Sequence, residues 1–104
     1  MTRVFKALAD PTRRRVLQLL RSRPMTAGEL AEEFDLSKAT MSGHFAVLRE
    51  ADLVDADKQR TTITYRLKMS VLEDALLELA ESFGYDLTLS RQCPPARRAL
   101  GKGA

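Results

Sequence analysis

The chain has 104 residues, which is enough for one domain around a single modest hydrophobic core. Its formal net charge is +3, but the last fourteen residues carry four of the bases and no acid, so residues 1–90 hold one more acid than base. A nucleic-acid surface in the folded part would therefore need its cations on one face. The single cysteine, Cys93, excludes an intramolecular disulfide framework.

The sequence shows no targeting or membrane signal. Residues 1–5 lack the apolar run and the small-residue cleavage site of a secretory signal. No stretch reaches the roughly 18 to 20 continuous apolar residues of a membrane helix. We therefore expect a soluble, cytoplasmic protein with no membrane partner.

Two helices open the chain. Residues 3–9 predict a short one, and Asp10 followed by Pro11 marks the start of the next. An aspartate N-cap accepts backbone N–H groups, while proline fits the first helical turn without losing a needed donor. The second helix is expected to run to about Arg21, because Pro24 follows shortly after it.

A short helix and a longer one follow, joined by a tight turn. Residues 26–29, Thr-Ala-Gly-Glu, have the form of a capping box and predict a helix of about two turns. Ser37 can cap the longer helix, whose apolar residues Met41, Phe45 and Leu48 recur at spacings of four and three. The pattern is that of a helix-turn-helix.

The hydrophobic period then changes to that of a strand. Residues 62–67 alternate polar and apolar side chains and include β-branched and aromatic residues, as a half-buried strand does. Leu53 and Val54 are expected to supply a shorter partner strand. Residues 55–61 would then form the polar tip of a hairpin, which we interpret as a wing.

A last amphipathic helix and a basic tail complete the chain. Residues 70–73 have the form of a second capping box, and Gly84 is the expected helix stop. The sequence therefore predicts a mainly α fold with a small β-hairpin, a winged helix-turn-helix in the order α-α-α-α-β-β-α, over residues 1–90. Residues 91–104 show no periodicity and are expected to be a basic disordered tail.

Three motifs point to a known family. Residues 8–17 read LADPTRRRVL, residues 25–31 read MTAGELA, and residues 36–42 read LSKATMS. Over roughly residues 3–85 the chain resembles the winged helix-turn-helix repressors of the ArsR/SmtB family, and the second and third motifs most resemble its SdpR-type autorepressor branch. The resemblance implies a transcriptional repressor of duplex DNA that acts on an inverted repeat, with its own promoter among the targets.

The sequence departs from that family at three positions. Gly43 stands where a histidine is usual, and Asp52 and Arg60 stand where glycine is frequent. A glycine inside a helix costs about 1 kcal/mol relative to alanine and removes a side chain that could touch DNA. Arg60 adds a cation to the wing but lacks the backbone freedom that a tight turn favours.

The longer helix has the size of a recognition helix. Its first turns are small, polar and positive, which suits base edges and phosphates in the major groove, and the hairpin tip is placed to reach the flanking backbone. The residues expected to contact DNA are Ser37, Lys38, Thr40, Ser42, Gly43, His44, Lys58, Gln59, Arg60, Thr61 and Thr62.

Several side chains have a second interpretation. Ser37 taken alone is explained as well by helix capping. His44 lies roughly 60° from the centre of the apolar stripe, so it points either to the core or to the groove. Arg13, Arg14 and Arg15 form either a solvated face or a set of phosphate contacts.

Metal binding and catalysis are not expected. Ala31 and Glu33 stand where some members of the family have a Cys-x-Cys pair, and the last helix has acids but no histidine. His44 has no second ligand at a helical or hairpin spacing. No nucleophile has a base beside it, so neither an enzyme nor a cofactor is predicted. Cys93 is interpreted as incidental, and the sequence identifies no effector.

The first and last helices carry apolar stripes that the central helices do not need for the core. We expect these stripes to pair with those of a second copy, so that a homodimer sets two recognition helices about one DNA turn apart. Two alternatives are that the stripes are intramolecular core, or that the domain is a protein-interaction module without specific DNA binding. The expected dimer contacts are Phe5, Leu8, Leu72, Leu76, Leu79 and Phe83.

Overall fold

A computed structural model describes residues 2–85, and its order of elements confirms the predicted winged helix-turn-helix, with one additional short strand. The predicted tail, residues 91–104, and Cys93 lie outside the described residues. The elements are α1 (Thr2–Leu8), α2 (Pro11–Ser22), β1 (Met25–Thr26), α3 (Ala27–Glu32), α4 (Lys38–Glu50), β2 (Val54–Gln59), β3 (Thr62–Leu67) and α5 (Met69–Ser82).

The described chain divides into two compact units, residues 2–72 and residues 73–85, and α5 runs across the boundary between them. None of the helices in residues 2–85 is long and apolar enough to cross a membrane. The largest fully buried side chains belong to the first unit and form its core: Val16, Leu30, Met41, Leu48 and Leu53.

The predicted N-caps of α2 and α4 are confirmed. Asp10 Oδ1 accepts the Thr12 N–H at 2.8 Å and the Arg13 N–H at 3.2 Å. Desolvation opposes the charge on Asp10, but these two bonds prevail and hold the pKa of its carboxyl below the ordinary value. Ser37 Oγ accepts the Thr40 N–H at 3.1 Å and so starts α4.

The capping box of α3 is confirmed in both directions. The Glu29 N–H donates to Thr26 Oγ1 at 3.0 Å, and the Thr26 N–H donates to Glu29 Oε1 at 2.9 Å. The Thr26 N–H is the main cause of a lowered pKa at Glu29, and an ion pair with Arg23 at 3.5 Å acts in the same direction. Since α3 has only six residues and so short a helix is unstable alone, these bonds define where it begins.

The three strands form an antiparallel sheet in the order β1-β3-β2. β1 was not predicted, because its two residues are too few to show a period. Met25 pairs with Tyr65 and Thr26 with Thr64, so β1 lines the edge of β3 just before α3 begins.

The hairpin is longer than predicted. β2 runs from Val54 to Gln59, so most of the expected tip is strand, and Leu53 precedes the strand as a fully buried residue. Only Arg60 and Thr61 connect β2 to β3. The expectation was wrong because the far end of β2 is exposed and polar on both faces, which hides the alternation of a half-buried strand.

The start of α5 also differs from the prediction. Ser70 lies inside the first turn of the helix, so the predicted capping box over residues 70–73 is wrong. The Lys68 carbonyl instead accepts a first-turn bond from the Val71 N–H at 3.1 Å. Because the Lys68 N–H donates to the Leu53 carbonyl at 2.8 Å, α5 starts directly from the end of β3.

The predicted stop of α5 is confirmed. Gly84 has a φ of +78°, and its N–H donates to the Glu81 carbonyl at 3.0 Å. The Tyr85 N–H donates to the Ala80 carbonyl at 2.8 Å. This pair of bonds is a Schellman motif, in which glycine takes the left-handed conformation that ends the helix.

Helix α4 ends in the same motif with an aspartate in place of glycine. Asp52 has a φ of +63°, and its N–H donates to the Arg49 carbonyl at 2.9 Å, while the Leu53 N–H donates to the Leu48 carbonyl at 3.0 Å. The Asp52 carboxylate accepts a bond from Lys68 Nζ at 2.7 Å and raises the pKa of that amine. The residue therefore ties the end of α4 to the start of α5 at the cost of a strained backbone.

Asp52→Gly and Asp52→Ala both remove the bond to Lys68, so comparing them isolates the backbone strain. A side chain with a Cβ pays on the order of 1–2 kcal/mol in the left-handed region, part of which glycine gives back as chain entropy. We expect the glycine variant to have the higher free energy of unfolding by about 1 kcal/mol. Urea unfolding followed by circular dichroism measures this difference, and equal stabilities would contradict the strain.

Candidate nucleic-acid interface

The inner face of α4 is fixed to the first unit. The predicted stripe of Met41, Phe45 and Leu48 is buried. The Phe45 ring packs on the Tyr65 ring of β3, with centroids 4.7 Å apart and planes inclined by 33°. Burial raises the pKa of the Tyr65 hydroxyl. The stripe and the ring pair together decide which face of α4 is turned to solvent.

The outer face of α4 is smooth. Ala39, Gly43 and Ala46 are exposed, and their helical spacing places them on one side. A Cβ built on Gly43 would have no atom within 4 Å. Lys38 and Ser42 are exposed at one border of this face. The helix backbone can therefore approach another surface closely, with a cation and a hydroxyl beside it. Sequence reasoning singled out Gly43 but missed the two alanines that share its face.

The start of α4 is exposed and polar, as predicted. Ser37 accepts the Thr40 N–H and also donates its hydroxyl to Thr40 Oγ1 at 2.9 Å. The capping interpretation of Ser37 is therefore confirmed. Capping leaves both side chains at the surface, where further hydrogen bonds can form.

His44 occupies the other border of α4, where it is half-buried. Its Nδ1 lies 3.3 Å from Arg13 Nη1 of α2. The ring therefore points neither into the apolar core nor straight out to solvent, because it rests against the side chain of a neighbouring helix.

Two arginines of α2 have a role that neither interpretation of the sequence foresaw. Arg13 donates from Nε to the Ala7 carbonyl at 2.8 Å and from Nη2 to the Lys6 carbonyl at 3.0 Å. Arg14 donates from Nη1 to the Leu8 carbonyl at 2.8 Å. These guanidinium groups satisfy free carbonyls at the end of α1. Contacts across a turn between helices follow no helical or strand period, so the sequence gives no signal for them.

The wing carries its predicted contact residues on two faces. The register pairs Lys58 with Ile63 and Gln59 with Thr62. Side chains alternate along a strand, so Lys58 lies on the same face as Tyr65, which contacts α4. Gln59 and Thr62 lie on the opposite face.

That opposite face holds a shallow polar groove of about 510 Å³. Its carboxylate, on Asp57, repels phosphate, so the Lys58 face suits a nucleic acid better. Arg60 and Thr61 are exposed at the tip between the two faces. The groove is lined by Asp57, Gln59, Arg60, Thr62, Thr64 and Arg66.

The chemistry of this surface is hydrogen bonding and neutralisation of phosphate. Lys38, Lys58 and Arg60 supply cations, and the start of α4 supplies hydroxyls. Within residues 2–85, no three side chains of His, Cys, Asp or Glu lie close enough together to hold a metal ion.

Known proteins share both the sequence pattern and the fold. A model described as a helix-turn-helix domain matches residues 8–57. The transcriptional repressor SdpR of Bacillus subtilis is 42% identical over 76 residues, which are 73% of this chain and 84% of SdpR. The transcriptional activator HlyU of Vibrio cholerae is 33% identical over 76 residues, which are 73% of this chain and 69% of HlyU. The crystal structure of an ArsR family transcriptional regulator, RHA00566, superposes with a TM-score of 0.74 at 33% identity and covers 78% of this chain and 89% of that one.

The fold, the exposed helix-turn-helix and these relatives define a DNA-binding transcriptional regulator of the winged helix-turn-helix class. The chain belongs to the ArsR family. Its similarity to transcriptional regulators also means that the relatives on which the assignment rests are not enzymes.

Replacing Arg60 separates the backbone of the wing from its charge. Arg60 has a φ of +60°, which glycine adopts without a clash, so Arg60→Gly should raise the free energy of unfolding by up to about 1 kcal/mol. If Arg60 contacts a phosphate, the same variant should flatten the plot of log affinity for DNA against log salt concentration by about 0.9. Arg60→Lys keeps the charge and should leave the slope unchanged. Lower stability of the glycine variant in urea would contradict the strain, and an unchanged slope would contradict the phosphate contact.

Proposed function

We propose that this protein is a sequence-specific repressor that binds an inverted repeat in duplex DNA as a homodimer, with its own promoter among the targets. The observation that carries the proposal is the outer surface of α4: polar and cationic at its start, free of bulky side chains along its length, and next to the Lys58 face of the wing. A chromosomal operator would place its action in the cytoplasm.

In this proposal α4 lies in the major groove. Lys38, Thr40 and Ser42 supply donors and acceptors near the helix start, and the smooth centre of the helix lets its backbone approach the bases. Lys58 and Arg60 reach the phosphates that flank the groove, or the adjacent minor groove. Most sequence-independent affinity would come from these cations, and discrimination between bases from α4.

The homodimer rests on the apolar face of α5 and on α1. Leu76 is 40% exposed, Leu79 is 41% exposed and Phe83 is 81% exposed, which is unusual for side chains of this size. Covering them with the same face of a second copy would remove that surface from water and give the two-fold symmetry that an inverted repeat requires. The other proposed contacts are half-buried: Phe5, Leu8 and Leu72.

The sign of regulation follows the higher similarity. SdpR is named a repressor and is 42% identical, whereas HlyU is named an activator and is 33% identical over the same length. We therefore propose repression. Autorepression rests on the resemblance to the SdpR-type branch.

A second candidate is a protein-interaction module that uses the same fold without specific DNA binding. The smooth face of Ala39, Gly43 and Ala46 favours it, because small side chains offer few hydrogen bonds to bases and also suit close packing against a protein helix. The two candidates differ in whether DNA sequence alters affinity.

A duplex from the protein's own upstream region tests the proposal. We expect a footprint over an inverted repeat, and inserting about half a helical turn, roughly 5 base pairs, between the half-sites should abolish tight binding because the two recognition helices no longer face the same side. Lys38→Gln should weaken binding to all sequences alike. The control is a scrambled duplex of equal length and composition. Equal affinity for both duplexes would favour the interaction module.

Leu79→Glu tests the dimer. A charge at the centre of the α5 face should give a folded monomer that has lost specific affinity for the intact repeat, since joint binding to two half-sites is lost with the dimer. Leu36→Glu is the matched control, because Leu36 is 43% exposed but lies in the helix-turn-helix turn. Light scattering should give a dimer for the control and a monomer for Leu79→Glu, with native circular dichroism for both. A Leu79→Glu dimer would show that the interface lies elsewhere.

A further inference from the structure

Arg13 joins three helices through one guanidinium group. Nε and Nη2 donate to the Ala7 and Lys6 carbonyls at the end of α1, at 2.8 Å and 3.0 Å. Nη1 lies 3.3 Å from Nδ1 of His44 on α4. The two carbonyl bonds fix the plane of the guanidinium, so the position of its third donor is set before any DNA arrives.

This contact determines where the proton of a neutral His44 sits. A guanidinium group has only donors, so Nδ1 can join the contact only as an acceptor. The proton of the neutral ring must then be on Nε2. Arg13 therefore selects one of the two tautomers of the histidine on the recognition helix.

The other ring nitrogen of His44 is free to act outward. Within residues 2–85 no protein partner is recorded for Nε2, and the same residues contain no buried side-chain nitrogen or oxygen that lacks a hydrogen bond. Nε2 must therefore reach solvent. It does so beside Thr40, one turn earlier on the same border of α4.

We infer that Arg13 is a positioning residue of the DNA interface, which holds His44 so that its Nε2–H donates to an acceptor on the DNA. That acceptor is either a phosphate oxygen or an acceptor on a base edge, since both offer the lone pair that an N–H donor requires. The inference rests on the proposed function, because it names how one border of α4 meets its ligand.

Arg14 provides a matched control. It is the next residue on α2, carries the same charge and also caps α1, through the Leu8 carbonyl at 2.8 Å. It makes no recorded contact with His44 within the described residues. Loss of a cap or of a positive charge should therefore affect Arg13→Met and Arg14→Met alike, whereas loss of the His44 contact affects only the former.

The tautomer can be measured in the free protein. The chain has a single histidine, so ring ¹⁵N signals belong to His44 without further assignment. At about pH 8.5, above the usual titration range of histidine, we expect a ring protonated only on Nε2 in the wild type and in Arg14→Met. Arg13→Met should show the averaged signals of two tautomers. A wild-type ring protonated on Nδ1, or the same spectrum in all three proteins, would overturn the inference.

A double-mutant cycle measures the effect on DNA binding. His44→Ala should weaken specific binding about tenfold, the value of one hydrogen bond. Arg13→Met should weaken it by a similar factor in the wild type and by little in the His44→Ala background, because the donor that it positions is gone. Arg14→Met should have the same effect in both backgrounds. An additive cycle for Arg13 would overturn the positioning role while leaving the proposed function intact.

The source of the acceptor follows from the sequence dependence of the same variants. If His44 donates to a phosphate, His44→Ala weakens binding to matched and mismatched operators equally. If it donates to a base edge, the variant loses preference at one base pair of each half-site. Either result supports the inference. A wild type that binds no duplex specifically would overturn the proposed function and the inference together, and a His44→Ala variant with unchanged affinity would overturn the inference alone.

Discussion

The contact between the Phe45 and Tyr65 rings is the interaction on which the rest of this surface depends. Phe45 comes from α4 and Tyr65 from the middle strand of the sheet, and both are almost completely buried, with 6% and 4% of their surfaces exposed. The contact fixes the recognition helix to the wing within one compact unit. Tyr65 is also paired to Met25, so the short strand before α3 is set by the same residue. A surface that must match both the major groove and the flanking backbone requires this rigid relation between helix and wing.

Two strained residues lie at the ends of the segment between α4 and the wing tip. Asp52 and Arg60 both have positive φ values although neither is glycine. Asp52 compensates through its bond to Lys68, whereas Arg60 has no recorded hydrogen bond or ion pair within residues 2–85. Strain that local contacts do not offset is more common at functional sites, which agrees with the proposed role of Arg60 as a phosphate contact at the tip.

The sequence predicts the features that depend on neighbouring residues. The caps at Asp10 and Ser37 follow from residue types at a fixed spacing, and the buried face of α4 follows from its helical period. Features that depend on distant residues could not be predicted. β1 forms only because the edge of β3 is free to pair with it, and Arg13 meets His44 across thirty-one positions of the chain. The predicted cap at Ser70 failed for the same reason, since a bond between Lys68 and Leu53 moves the helix start.

The most direct test of the account is to locate α4 on DNA. In a variant with Cys93→Ser and Ala46→Cys, an iron chelate attached to the new thiol on the outer face of α4 should cut the operator at two places about one helical turn, roughly 10 base pairs, apart. The same chelate on Glu78→Cys, an exposed position of α5, serves as the control and should give no such pair of cuts. Paired cuts from position 46 alone would agree with a recognition helix in each of two successive major grooves. Cuts from position 78 without cuts from position 46 would contradict the account.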